Sequence, residues 1–199
     1  MNLLAHLFLS GSDEQIKLGN FFADAVKGKQ KQQYSRKIQQ GIQLHIAIDQ
    51  YTDQHDEVKK SVKLLRNNHH KYAGVIIDLV YDHFLANHWG AYSTNKDLSD
   101  FIQHSYALLL KNYRILPDRT KRFLPYMIIN NWLWNYQSLS GLDKSLSGLA
   151  RRTTFDSGME HAIKEVKVHY DALERHFSIF FPEIIAFVRG NPAVKWEHQ

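Results

Sequence analysis

The sequence contains no cysteine. This absence excludes disulfide frameworks, thiol nucleophiles, zinc fingers and thiolate-bound metal clusters. It also fits a reducing compartment, so we expect a cytoplasmic protein. No apolar run reaches the roughly 18 residues that a membrane-spanning helix needs, and we expect no membrane partner. The apolar segment Met1–Ser10 has no Lys or Arg at its start and a histidine in its middle, which favours a buried first helix over a signal peptide.

Length and charge narrow the class of protein further. With 199 residues, 44% of them apolar and 23% charged, the chain suits one domain spanning residues 1–199 that buries its core without metal or disulfide support. The formal net charge of +5 favours acidic partners. Two basic stretches, Lys27 to Lys37 and Lys111 to Arg122, carry much of this charge. We interpret them either as solvated loops or as a docking surface for a negatively charged partner.

Apolar residues recur at helical spacing almost throughout the chain, and no segment has the alternation of a strand. We therefore predict an all-α fold, a single helical domain. The most regular apolar stripe predicts a long helix from Ser157 to Phe181, and Pro182 is expected to interrupt it. Residues 190–199 are expected to form a frayed tail.

Polar pairs four residues apart interrupt the most apolar helices. Residues at this spacing share a helix face, so each pair would form a polar stripe between bulky apolar side chains. The pairs are Asn2 and His6, Asn20 and Asp24, His45 and Asp49 with Asp53 one turn later, and Asp78 and Asp82.

These pairs indicate a metal site. Burying several carboxylates together is costly unless a cation neutralises them. Carboxylate and imidazole ligands without thiolate suit Mn, Mg, Fe or Zn, and carboxylate-rich sets favour Mn or Mg. The sequence therefore predicts a site for one or two divalent ions. The alternative is that each pair is hydrogen-bonded, capped or exposed to solvent, since no local spacing matches a known ligand motif.

The sequence has few other motifs that indicate catalysis or ligand binding. The sequence has no Gly-rich phosphate loop, nucleophile elbow or dinucleotide fingerprint, and no recognised nucleic-acid module, so no nucleic-acid partner is expected. Arg151 and Arg152 form a candidate phosphate clamp, because guanidinium groups match phosphate oxygens in shape and charge. The same pair would also complement the C-terminal end of a helix.

Several blocks of the sequence, taken together, resemble a known family. They are Met1–Leu7, Gly19–Asp24, Gly41–Asp53 and Asp78–Leu85, the last followed by His88-Trp89, and the likeness continues through Arg151-Arg152 and His169–Glu174. In this order and spacing they are similar to the bacterial acyl carrier protein phosphodiesterases, and the similarity covers nearly the whole chain.

The resemblance implies an HD-phosphohydrolase-like helix bundle that uses a divalent cation, Mn²⁺ first, with Mg²⁺ or Fe²⁺ as alternatives. Ordinary HD sites place His directly before Asp, whereas here Asp82 precedes His83. Asp49 or His83 would either add a ligand or handle a proton, and Arg151 or Arg152 would hold the phosphate. The implied metal-site residues are His6, Asp24, His45, Asp49, Asp82 and His83.

The function implied by the resemblance is a specific hydrolysis. We expect the chain to cleave the phosphodiester between 4′-phosphopantetheine and the serine of holo acyl carrier protein. The carrier is acidic, so the basic segment from Lys27 to Lys37 would attract it. Two alternatives stay open: a metal phosphohydrolase for a nucleotide or other small diester, and a non-catalytic module that binds the phosphopantetheine arm. The sequence does not indicate an oligomeric state.

Overall fold

Helices make up nearly all regular structure in the computed structural model, which describes residues 1–93, 96–154 and 157–196. No strand occurs in these ranges, which confirms the all-α prediction. No described helix is both long enough and apolar enough to cross a bilayer. The α-helices in these ranges are Leu3–Phe8 (α1), Glu14–Phe22 (α2), Arg36–Gln54 (α3), Asp56–His69 (α4), Ala73–Asn87 (α5), Trp89–Tyr92 (α6), Leu98–Lys111 (α7), Asp118–Ile129 (α8), Trp132–Asn135 (α9), Leu139–Ala150 (α10), Ile163–Val168 (α11) and Tyr170–Arg189 (α12).

Helix α5 forms the centre of the fold. Its residues are buried on nearly every side, and it contacts α1, α4, α10 and α12. A helix that is apolar all round is stable only when neighbouring elements cover it. Tyr81 and Phe84 are fully buried and pack against Phe177 of α12, with ring centroids 5.3 and 5.6 Å apart. Asp82 of the same helix is also fully buried, so a carboxylate lies inside this apolar centre.

Helices α2 and α3 pack along each other and contribute most of the polar residues of interest. Asp13 caps α2, because its carboxylate accepts hydrogen bonds from the N–H groups of Gln15 and Ile16 at 3.0 and 3.3 Å. Ser35 caps α3 in the same way through the N–H of Ile38. Side-chain caps satisfy N–H groups that have no partner within the helix. They therefore fix where each helix begins.

The C-terminal helices differ from the prediction of one helix over Ser157–Phe181 that is interrupted by Pro182. The chain breaks at His169, whose backbone (φ −104°, ψ 13°) is not helical, so α11 and α12 are separate. Pro182 lies inside α12, which continues to Arg189. A proline removes one helical hydrogen bond, and the burial of Phe181, Ile184 and Val188 around it outweighs that loss.

Residues 190–196 pack against the protein, which corrects the prediction of a frayed tail for this part. The N–H of Ser12 donates to the carbonyl oxygen of Lys195 at 2.9 Å. The indole of Trp196 meets the ring of Phe8 at a centroid distance of 6.0 Å, and Val194 is buried. Apolar side chains near the end of the sequence therefore join the core. Residues 197–199 lie outside the described residues.

Candidate metal centre

Three side chains from two helices converge at one largely buried point. His6 lies on α1, and His45 and Asp49 lie one turn apart on α3. The carboxylate of Asp49 has Oδ1 3.2 Å from His6 Nε2 and Oδ2 3.2 Å from His45 Nε2. One ligand atom from each of the three residues lies within 4.8 Å of the other two. The two imidazole rings are stacked with centroids 3.9 Å apart, so both Nε2 atoms face the same carboxylate.

Asp24 connects this cluster to the surface. It lies in a short 3₁₀ helix, Ala23–Ala25, that directly follows α2. Its Oδ1 is 3.2 Å from His45 Nε2, while 82% of its side chain is exposed and only 7% of the His45 side chain is. The cluster therefore has one half-buried carboxylate, that of Asp49, and one largely exposed carboxylate, that of Asp24, at its opening.

The hydrogen bonds of the histidines fix which ring nitrogens face the carboxylates. His6 Nδ1 is 2.8 Å from the side-chain oxygen of Asn20, and His45 Nδ1 is 2.8 Å from the main-chain oxygen of the same residue. Carbonyl oxygens only accept hydrogen bonds, so both Nδ1 atoms donate. Each Nε2 is thereby left to interact with Asp24 or Asp49.

The local charges shift the pKa values of these groups in opposite directions. Burial lowers the pKa of His6 to about 4, so this ring is neutral at pH 7. Burial also opposes charge on His45, but hydrogen bonds to Asp24 and Asp49 outweigh it and raise the pKa to about 9. Burial opposes charge on Asp49, yet its hydrogen bond with His45 holds its pKa well below the usual range. The cluster therefore holds a carboxylate between two imidazoles.

These donors fit a divalent metal ion. His6 Nε2 is buried and has no hydrogen-bond partner in the described part of the chain, although Asp49 Oδ1 lies 3.2 Å away. A neutral Nε2 and a carboxylate both present lone pairs, so a shared cation would satisfy both. Zinc, for example, binds nitrogen and oxygen ligands at roughly 2.0–2.2 Å, so donors at this separation can share one ion. His6, His45 and Asp49 can therefore hold a metal.

A buried ammonium group lies beside the cluster. The amino group of Met1 is 3.0 Å from Asp78 Oδ1 and 3.4 Å from Asp49 Oδ1. Burial disfavours its charge, but the attraction of Asp78 and Asp49 outweighs this and raises its pKa to about 10. Asp78 thus forms an ion pair with the buried amino group of this chain.

A cleft of about 1040 Å³ opens at Asp24. Its walls are aromatic on one side, where Trp132 stacks with Phe123 at a centroid distance of 6.2 Å and the guanidinium of Arg152 lies 4.8 Å from the Trp132 ring centre. Five cations also line it, and none of them forms an ion pair with a carboxylate within the ranges that the structure describes. These cations are Arg119, Arg122, Lys144, Arg151 and Arg152. Such a cleft suits a ligand with a phosphate group and a partly apolar arm.

Comparison with known proteins identifies the family. The model of the family described as acyl carrier protein phosphodiesterase matches residues 1–184. The chain belongs to this family.

Similar proteins in the family carry the same description. Those named acyl carrier protein phosphodiesterase from Enterobacter sp. (strain 638) and Klebsiella pneumoniae (strain 342) are each 32% identical over 194 residues, which is 96% of this chain and 99% of theirs. That from Salmonella agona (strain SL483) is 32% identical over 189 residues, 94% of this chain and 96% of its own. No solved structure matches the chain significantly. The relation to HD phosphohydrolases therefore stays a prediction.

Asp82, predicted as a metal ligand from its place in the family motif, is engaged elsewhere. Its two carboxylate oxygens accept hydrogen bonds from the N–H groups of Leu4 and Ala5, at 2.8 and 3.0 Å. It therefore caps the N-terminal end of α1, where a carboxylate is favourable. Burial raises its pKa to about 7 against these hydrogen bonds. In this structure both carboxylate oxygens of Asp82 face the main chain of α1, and a role for Asp82 as a metal ligand stays a prediction.

His83, the second residue of the expected reversed pair, also lies apart from the cluster. Its Nδ1 donates to the carbonyl oxygen of Tyr136 at 2.6 Å, and its Nε2 accepts from the hydroxyl of Tyr170 at 2.9 Å. Adjacent residues of a helix point about 100° apart, so His83 faces a different neighbour from Asp82. Both nitrogens of His83 are hydrogen-bonded in this structure, and its role as a ligand or proton carrier stays a prediction.

Of the expected site residues, four come together and two line the cleft. His6, Asp24, His45 and Asp49 form the cluster, and Arg151 and Arg152 lie at the cleft wall. Sequence reasoning missed Arg122 and Trp132 as cleft residues. Arg122 lies in a basic stretch that the sequence did indicate, but nothing in the sequence placed that stretch beside Asp24.

Proposed function

We propose that this protein hydrolyses the phosphodiester that joins 4′-phosphopantetheine to the serine of holo acyl carrier protein. The relatives named acyl carrier protein phosphodiesterase support this substrate. The observation that carries the proposal is the junction of two features at Asp24. A His/Asp cluster that can hold a metal meets a cationic, aromatic cleft there.

The residues of the cleft have separate roles in this proposal. Arg151 and Arg152 bind the nonbridging phosphate oxygens, because guanidinium groups donate paired hydrogen bonds to them. Trp132 and Phe123 pack against the pantetheine arm. Asp24, exposed at the cluster and with a pKa lowered mainly by its hydrogen bond to His45, orients water or completes the ligand set.

His6, His45 and Asp49 would hold the divalent cation, and Mn²⁺ is our first candidate for this donor set, with Mg²⁺ or Fe²⁺ as alternatives. Such an ion supplies Lewis-acid chemistry, lowering the pKa of water and polarising a phosphoryl oxygen. In the overall reaction, a bond forms between the water oxygen and phosphorus, and the bond between phosphorus and the serine oxygen breaks. The serine oxygen takes up a proton, and the products are apo carrier protein and 4′-phosphopantetheine.

The carrier protein approaches the cleft through charge in this proposal. Lys27 and Lys29 are exposed in the segment that follows Asp24, and neither forms an ion pair with a described carboxylate. An acidic carrier would be steered to this surface, most strongly at low salt. Replacing both lysines by Gln is expected to slow cleavage of the carrier at low salt. The control replaces Lys63 and Lys167, which are also exposed, by Gln, and an equal loss in the control would contradict this docking surface.

The deciding experiment is intact-mass spectrometry of holo acyl carrier protein after incubation with this protein, with Mn²⁺ or with chelator. We expect conversion to apo carrier only with the metal. Asp49→Ala is expected to abolish conversion, whereas Asp53→Ala, one turn further on α3 and exposed, is expected to keep it. Cleavage of small diesters but not of the carrier would support a general phosphohydrolase. Tight binding of the carrier without cleavage would support a binding module. A cytoplasmic location is part of this proposal, since the absence of cysteine fits a reducing compartment.

A further inference from the structure

Asn20 contacts both histidines of the candidate metal centre and is itself fully buried. It lies on α2, between α1 and α3, which carry the histidines. Its side-chain oxygen is 2.8 Å from His6 Nδ1, and its main-chain oxygen is 2.8 Å from His45 Nδ1. One residue therefore touches the far side of both imidazole rings.

The orientation of the Asn20 amide is fixed by its other contacts. The amide nitrogen lies 2.9 Å from the carbonyl oxygen of His6 and 2.8 Å from the hydroxyl of Ser10. The Ser10 hydroxyl itself donates to the His6 carbonyl oxygen at 2.6 Å, so it is free to accept from the amide. A flipped amide would place oxygen against the carbonyl oxygen of His6. The Asn20 side-chain oxygen must therefore face His6 Nδ1, and His6 Nδ1 must donate.

The main-chain oxygen of Asn20 likewise fixes the hydrogen on Nδ1 of His45. A main-chain oxygen only accepts, so His45 Nδ1 carries a hydrogen whatever its Nε2 does. Both rings thus keep Nδ1–H toward Asn20 and aim Nε2 at Asp49. A partner on the far nitrogen decides which nitrogen of a histidine can bind metal.

We propose that Asn20 is a positioning residue that holds the tautomer of His6 needed for metal binding. Without its side-chain oxygen, His6 would place the hydrogen on Nε2 and donate it to Asp49 Oδ1, 3.2 Å away. That hydrogen bond would occupy a ligand nitrogen and a ligand oxygen together. Asn20 thereby keeps His6 Nε2 and Asp49 Oδ1 available to a cation, because it prevents a hydrogen bond between them. The inference rests on the metal centre of the proposed function and not on the identity of the substrate.

The wild-type protein gives the first test. The ¹⁵N chemical shifts of the imidazole nitrogens distinguish protonated from unprotonated nitrogen, and they are measured on the metal-free protein. We expect His6 to carry hydrogen on Nδ1 and none on Nε2. A wild-type His6 with hydrogen on Nε2 would overturn the proposal without any variant.

Variants give the second test. Asn20→Ala is expected to move the His6 hydrogen to Nε2 and to weaken Mn²⁺ binding by about 10- to 100-fold, the range found when partners of metal-binding histidines are removed. Asn20→Asp keeps an acceptor beside His6 Nδ1 but loses the amide donor to the His6 carbonyl oxygen. We therefore expect it to keep the Nδ1–H tautomer and to bind Mn²⁺ more tightly than Asn20→Ala, at lower thermal stability than the wild type. Titration calorimetry with Mn²⁺ and the ¹⁵N shifts are the two readouts.

Ser10→Ala is the matched control for loss of packing. It removes two hydrogen bonds from the same buried network, those with the His6 carbonyl oxygen and the Asn20 amide, but leaves the contact between Asn20 and His6. We expect it to lower thermal stability while keeping the tautomer and the Mn²⁺ affinity. An Asn20→Ala protein that matches Ser10→Ala in both readouts would contradict the proposal. Since neither readout uses the carrier protein, failure of carrier cleavage with these results intact would overturn only the proposed function.

Discussion

Gly19 of α2 and Gly41 of α3 face each other where the two helices cross, so closely that a Cβ atom on Gly19 would lie 3.0 Å from the Cα of Gly41. The same Cβ would clash with the carbonyl oxygen of Ile38, and a Cβ on Gly41 would clash with that of Ile16. The two glycines therefore set the distance between the helix that carries Asn20 and the helix that carries His45.

We expect Gly19→Ala and Gly41→Ala to destabilise the protein by about 1–3 kcal/mol, the usual cost of overpacking. Each added methyl group would meet main-chain atoms of the other helix, and these atoms cannot rotate away as a flexible side chain would. Chemical denaturation measures this loss. We also expect weaker Mn²⁺ binding, because a wider crossing moves the oxygen of Asn20 away from His45.

Gly74→Ala is the matched control, since no atom lies within 4 Å of its added Cβ and alanine favours a helix over glycine. Its stability is expected to be unchanged or higher. Equal stability of Gly41→Ala and Gly74→Ala would contradict the close crossing.

Asp49→Asn and Asp82→Asn are expected to separate metal binding from helix capping. Asp49→Asn removes the carboxylate between the two histidines, so Mn²⁺ affinity should fall at least 100-fold. Asp82→Asn replaces one acceptor facing Leu4 and Ala5 by a donor, so it should cost about 1–3 kcal/mol of stability and leave Mn²⁺ affinity within about threefold. Calorimetry and thermal unfolding check the pair. Loss of metal binding by Asp82→Asn with its stability intact would make Asp82 a ligand.

Local spacing predicted part of the site well. His45 and Asp49, four residues apart on α3, do meet with Nε2 and Oδ2 3.2 Å apart, because residues one helical turn apart share a face. The all-α fold follows from the same periodicity.

The identical spacing was less informative for Asp78 and Asp82. Spacing shows that two carboxylates share a face of α5, but not which groups that face meets in the folded protein. Here it meets an ammonium group and the unpaired N–H groups at the start of α1. The amino group and the main-chain N–H groups belong to the backbone, so a pattern of side chains cannot predict where they lie. The cleft was equally hidden, because Arg122, Lys144 and Trp132 are brought beside Asp24 only by the packing of distant segments.

Metal affinity is expected to depend on pH through His45. Its pKa is about 9, so a bound ion must displace one proton at pH 7. Mn²⁺ affinity should therefore rise about tenfold per pH unit between pH 7 and 9 and level off above. Calorimetry in buffers of different ionisation enthalpy would report the released proton. A flat pH profile would mean that His45 is neutral without metal or is not a ligand.

The stability of the metal-free protein is expected to fall as the pH rises, whereas the Mn²⁺ affinity rises. The folded pKa of His45 lies above its ordinary value of 6.5, so the contribution of its charged form is full below pH 6.5 and is lost as the pH rises through 9. Thermal unfolding with chelator should give a falling melting temperature over this range. His45→Ala is expected to flatten the fall, and an unchanged fall in this variant would assign it to other groups.

The cleft arginines are expected to act on substrate binding alone. Arg151→Ala or Arg152→Ala should raise KM for holo carrier protein about 10- to 100-fold, because a hydrogen bond to a charged group contributes about 1.5–3 kcal/mol. Mn²⁺ affinity should stay unchanged, since neither residue touches the cluster. Arg66→Ala removes the same charge from an exposed position on α4 outside the cleft, and we expect its KM to stay within twofold. If Arg66→Ala raises KM as much, the effect is one of net charge, and the cleft is not where the phosphate binds.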